Sequence, residues 1–137
     1  MIKNYYFLIA GILSVLFSFT HAWNGQTSFL PVIDGSAVSL SAKTTVFYIW
    51  HILTAENLIF GIALLIMSGY KEQSKVKFTA WTVALIMIVR WMVIFGSILF
   101  KNKNDVAATL LDSIAILIFV GLIMLGIRQA DAKQKAG

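Results

Sequence analysis

Four runs of about twenty residues, each nearly free of charge, leave this chain very few ways to fold. A helix rises about 1.5 Å per residue, so about twenty apolar residues cross a hydrocarbon layer about 30 Å thick. Residues 5–23, 45–67, 78–100 and 106–127 meet that length. Only helices and closed barrels satisfy their backbone polar groups in lipid, and unbroken apolar runs of this length select helices. The composition agrees: 59% of the 137 residues are hydrophobic and 12% charged, against roughly 45–50% and about 25% in soluble domains. The sequence therefore predicts an all-α protein, a single transmembrane domain over residues 1–137 built as a four-helix bundle. The short connectors at residues 71–77 and 101–105 predict antiparallel neighbours. Residues 24–44 are expected to form a long outer loop, and residues 128–137 a tail.

The net charge is +5, but the basic residues form no stripe with interleaved aromatics, which argues against nucleic acid as a partner. They gather instead at the ends of the apolar runs and face lipid headgroups. Lys3, Lys71, Lys75, Lys77, Arg128, Lys133 and Lys135 fall on one side, and Lys43, Lys101 and Lys103 on the other. The excess of basic residues marks the cytoplasmic side, so both termini are expected in the cytoplasm, in a bacterial-type inner (plasma) membrane. Trp23, Tyr48, Trp50 and Phe100 on one side, with Tyr5, Tyr6, Tyr70, Phe78 and Trp81 on the other, read as interfacial aromatic belts. The absence of cysteine excludes disulfides and thiolate metal sites.

The first run admits a second reading. Lys3, the apolar stretch to Phe17 and Thr20-His21-Ala22 also fit a cleavable signal peptide over residues 1–22. Bulky Phe19 and His21 crowd that cleavage region, and the apolar run outlasts a typical leader core, which favours a retained span. Cleavage would leave three spans and put the amino end outside.

Arg90 lies at the centre of the third run. A charge there costs several kcal/mol unless it has a partner or a purpose. His21, His51, Glu56, Asn57 and Asp112 are the candidate partners in the neighbouring runs. Counted from the outer ends, Glu56 matches Arg90 in depth and His51 matches Asp112. At about 100° per residue, Gly11, Ser14, Ser18 and His21 share one face of the first run. Trp50, His51, Thr54, Asn57, Gly61 and Ser68 spread over a broad face of the second, with Glu56 well to the side. Thr79, Val83, Arg90, Ser97 and Lys101 share a face of the third, and Ala108, Asp112, Ala115, Phe119 and Gly126 one of the fourth. Small residues on such faces let helices approach closely, while Leu/Ile-rich backs contact lipid.

Two readings of these polar residues follow. In one, Arg90, Glu56 and Asp112 form an ion-pair network that fixes helix register. In the other, favoured for intramembrane ionisable groups, His21, His51, Glu56, Asn57, Arg90 and Asp112 line an outward-facing pocket for a small-molecule or lipid-like ligand, with residues 24–44 as a lid or a headgroup-level tether. His51 and Asp112 would then handle protons. The rival function is an accessory subunit, a homo-oligomer or a chain docking another membrane protein through Glu56. An enzyme using His51 with Glu56 or Asp112 as acid and base is a third class, although no metalloprotease motif, nucleophile elbow or phosphate loop is present. No cofactor is expected; a b-type haem held by His21 and His51 is the alternative. No metal is expected, since the five-residue spacing of His51 and Glu56 puts them about 140° apart on one helix. Met87, Met92 and Trp91 read as packing.

Overall fold

The computed structural model describes residues 2–101 and 106–135, all helical apart from short connectors. Helix α1, Tyr5–Asn24, runs through a π-helical turn, Gly25–Phe29, into α2, Leu30–Gly35. α3 covers Leu40–Gly69, α4 Lys77–Lys101 and α5 Leu110–Lys135. Single 3-10 turns, Gln73–Val76 and Ala107–Thr109, precede the last two. Four helical stretches are long and apolar enough to cross a membrane: Tyr5–Gly35, Leu40–Gly69, Gln73–Lys101 and Leu110–Ala132. The expected connector at residues 101–105 lies outside the described residues beyond Lys101, as do Lys103 and the side chains of Ala108, Lys133 and Lys135.

Most of the expected outer loop at residues 24–44 is helix, with only residues 36–39 outside helical structure. Asn24-Gly25 does not stop α1 because Gly25 is buried beneath a tryptophan ring. Proline in a regular helix lacks one N–H, and its ring strikes the carbonyl one turn earlier. Here Pro31 lies in the first turn of α2, and the π turn before it, closed by the Leu30 N–H donating to the Gly25 carbonyl, widens the backbone at that spot. The stop comes at Gly35. Ser36 donates from both its N–H and its hydroxyl to the Ile33 carbonyl, and the Ser39 hydroxyl accepts from Ala42 N–H to start α3. At the other end of the chain, the expected tail continues α5 as helix to Lys135.

Contacts divide the chain into two compact units, Gly11–Ala63 and Met1–Ala10 with Leu64–Gly137. In the first, α1 meets α3 along a seam of small residues. The Ser14 hydroxyl donates to the Asn57 carbonyl at 2.7 Å, and the Ser18 hydroxyl to the Thr54 carbonyl at 2.9 Å. A Cβ on Gly61 would lie 2.9 Å from the Val15 nitrogen and 3.0 Å from the Gly11 oxygen, so only glycine permits this backbone approach. The seam residues 11, 14, 18 and 21 on α1, and 50, 54, 57 and 61 on α3, alternate steps of three and four, the spacing of left-handed coiled coils. Residues two positions away lie about 200° round the helix. Those include Ile9, Ile12, Leu16, Phe19 and Trp23 on α1, and Tyr48, Ile52 and Ile59 on α3, and all of these are exposed. Apolar backs of this extent are foreign to soluble monomers and suit contact with lipid.

In the second unit, α4 packs along α5 through Ala80, Val83, Ala84 and Met87 against a face holding Phe119, Val120, Ile123, Ile127 and Ala130. Thr79 and Ser97, expected on the packed face of α4, are exposed, because the alanines bring the helices closer on the neighbouring face. Phe7 packs flat on Gly126, whose absent Cβ would lie 2.4 Å from the ring.

Candidate functional site

The densest group of aromatic and titratable side chains lies in the Gly11–Ala63 unit, where the π turn meets α3. The Trp50 indole lies between two rings. His21 stacks on it at 4.2 Å and 6°, and Phe29 at 4.5 Å and 21°. The indole N–H donates to the His21 carbonyl at 3.0 Å. A Cβ on Gly25 would fall 2.0 Å from the indole nitrogen, so glycine at this position admits the ring. Trp50 is therefore a packing residue joining α1, the π turn and α3. Trp23, Tyr48 and Phe100, the other residues of its expected interfacial belt, are exposed.

His51, next along α3, is held by its own surroundings. Nδ1 lies 2.8 Å from the Phe47 carbonyl, and Nε2 lies 2.9 Å from the Gln26 amide nitrogen. Both ring nitrogens thus have a polar neighbour within hydrogen-bonding distance. Phe47 also packs against the ring at 4.3 Å. Asp112, which the sequence matches to His51 in depth, belongs to the other unit and is exposed in the first turn of α5. A haem iron on His51 would have to displace one of the ring-nitrogen contacts, and the His21 ring lies face to face with Trp50. Among the described residues, no three His, Asp or Glu side chains gather as a metal-binding group.

The remaining expected site residues divide between the units. Glu56 and Asn57 belong with His21 and His51, whereas Arg90 and Asp112 belong to the other unit. Glu56, Asn57 and Arg90 are half-buried, and each is engaged by a neighbour. Arg90 continues the stripe Val76, Ala80, Val83, Met87 at steps of three and four, so it projects from the packed side of α4. Beside it Trp91 stacks on Phe95 at 5.5 Å, and its buried indole nitrogen has no hydrogen-bond partner among the described residues. Met87 is buried packing, and Met92 is exposed.

A second polar centre, unsuspected from sequence, lies in the unit of Met1–Ala10 and Leu64–Gly137. Fully buried Asn4 caps α1, its side-chain oxygen accepting from Phe7 N–H at 3.2 Å. Its amide nitrogen donates to the Gln73 side-chain oxygen at 3.1 Å and to the Gly126 carbonyl at 2.8 Å. Gln73 spends its own amide protons on the Met67 and Tyr70 carbonyls, at 3.0 and 2.6 Å. Lys3 and Asn4 N–H groups both donate to the Ser68 carbonyl. Every donor of the two side chains is thereby used, the condition under which a buried polar network rigidifies a fold. The only sequence signal was an asparagine just ahead of an apolar run. Around this knot, Lys77 pairs with Asp131 at 2.6 Å and Lys75 with Glu72 at 2.7 Å.

Comparison with protein-family models, with curated proteins and with solved structures finds no match to this chain.

Proposed function

We propose that this chain is a multi-pass protein of a bacterial-type inner membrane, an antiparallel bundle of four spans with both termini cytoplasmic. Its intramembrane polar residues, His51, Glu56 and Asn57 on α3, Arg90 on α4 and Asp112 on α5, serve to bind a small or lipid-like ligand. One observation carries the reading. Arg90 and Glu56 sit near the middle of helices whose other residues are almost all apolar, where ionisable groups are costly and mark function by default. The four long apolar helices and their exposed Ile/Leu faces support the membrane part.

Purification in mild detergent followed by native mass spectrometry and a visible spectrum tests the proposal. Wild type should carry a non-covalent adduct that Arg90→Gln and Asn57→Ala lose. A wild type without adduct, or variants that keep it, overturns ligand binding. A Soret band would instead select haem.

An accessory-subunit reading is favoured by a different observation. The helical stretch Tyr5–Gly35 and helix α3, of 31 and 30 residues, are each about 45 Å long, roughly 15 Å more than the hydrocarbon is thick. The surplus carries exposed Val32 and Leu40, a surface that another membrane protein could cover. A stoichiometric partner in the same purification selects this reading.

A further inference from the structure

The segment up to Ala22 has the make-up of a cleavable signal peptide, yet it carries buried structure. Asn4, Phe7 and Ala10 are fully buried, and Ser14 and Ser18 nearly so. The Lys3 and Asn4 N–H groups donate to the Ser68 carbonyl, and the Asn4 side chain donates to Gln73 and Gly126. The Ser14 and Ser18 hydroxyls reach the Asn57 and Thr54 carbonyls of α3. Removing the segment would strip the Gln73 side-chain oxygen of its donor and bare the close-packed surfaces at Gly61 and Gly126. Emptied packing and polar groups without partners are both costly. We infer that residues 1–22 stay in the mature chain, because the packing of α1 keeps the signal-peptidase-type site after Ala22 closed. The inference rests on the membrane-spanning reading, in which Ala22 lies toward the outer side, and not on ligand binding by the intramembrane residues.

Proteolysis acts where a chain is exposed and locally opened. The Thr20-His21-Ala22 stretch offers no such opening. Helix α1 runs unbroken through it, and the π turn Gly25–Phe29 carries the helical path on into α2. The Trp50 indole holds the chain on both sides of the bond after Ala22. It stacks on the His21 ring at 4.2 Å, donates to the His21 carbonyl at 3.0 Å, and fills the place of a side chain at Gly25. The Thr20 hydroxyl donates to the Leu16 and Phe17 carbonyls, and the Thr27 hydroxyl to the Trp23 carbonyl, which ties this stretch to the turns on either side. Drawing residues 20–23 out of the helix would therefore break the Trp50 contacts and loosen the adjoining bond from Ser18 to Thr54.

The test uses the full chain with a carboxyl-terminal tag, made in a bacterial host, solubilised from its membranes and weighed by intact mass spectrometry. Wild type should keep the segment up to Ala22. Thr20→Ala completes an Ala-x-Ala pattern ending at Ala22, and it should also stay uncut, because the pattern lies in closed helix. Gly61→Ile drives a branched side chain against the Val15 and Gly11 backbone and pushes α1 away from α3. Combined with Thr20→Ala, it raises the population of the opened chain and should yield a product that begins at Trp23. A blot of the tag on freshly induced membranes reads the same shortening where the double variant is too unstable to purify. The inference is overturned if wild type or Thr20→Ala begins at Trp23. It is equally overturned if the double variant stays whole, since the protection would then not come from packing. Carbonate extraction of cell membranes separates this failure from the larger one: a chain released by carbonate is not a membrane protein at all, whereas a retained chain that begins at Trp23 defeats this inference alone.

Discussion

Replacing Asn4 by alanine should cost about 4–6 kcal/mol, a large effect for one residue near the chain start. The change removes the α1 cap, worth about 1 kcal/mol, and two side-chain donations of about 1 kcal/mol each. It also leaves the buried Gln73 side-chain oxygen without its donor, which adds roughly 1–3 kcal/mol. Asn4→Asp separates these contributions. Aspartate keeps an oxygen for the Phe7 N–H, yet it turns an acceptor toward the Gln73 oxygen and the Gly126 carbonyl. Asn4→Asp should therefore destabilise at least as much as Asn4→Ala. A cycle of Asn4→Ala with Gln73→Ala should show about 1 kcal/mol of coupling, at the upper part of what interhelical hydrogen bonds show in membranes. SDS titration in mixed micelles, followed by tryptophan fluorescence and checked for two-state behaviour, measures all four variants. If Asn4→Asp is as stable as wild type, Asn4 is only a cap, and the reasoning about the knot is refuted.

Three further outcomes are expected. Gly61→Ala drives a Cβ to within 3.0 Å of the Val15 and Gly11 backbone, so the same titration should show a loss of about 1–3 kcal/mol; a neutral result would mean α1 and α3 are not so close. In a variant whose other tryptophans are phenylalanine, Gly25→Ala should unseat Trp50 from between His21 and Phe29, read as a red-shifted emission and weaker near-UV dichroism, and unchanged spectra would contradict the stack. Reporter fusions after Lys75 and at the carboxyl end should report cytoplasm and a fusion after Asp34 the outside, from the basic-residue asymmetry; a cytoplasmic signal at Asp34 overturns the orientation.

The sequence by itself determined the four apolar helices and the small-residue stripe of α1. Both are local properties. A run of apolar residues is helical because each backbone group finds its partner four residues away, and side-chain periodicity places Gly11, Ser14 and Ser18 on one face whatever the helix meets. The same periodicity put Thr54, Asn57 and Gly61 on the matching face of α3, and there the carbonyls of Thr54 and Asn57 receive the two serines. Only the tertiary structure decided what those faces do. Asn24-Gly25 reads as a turn until the Trp50 ring, 25 residues away, occupies the place of the Gly25 side chain. Periodicity likewise does not tell that the Trp50 indole meets His21 and Phe29, or that the His51 ring nitrogens meet Gln26 and Phe47. Asn4 looks like an ordinary cap, and its bond to Gly126 spans 122 positions, a distance over which no periodicity in the sequence carries information. Burial makes such bonds decisive, because an amide removed from water must find its partners wherever the fold brings them.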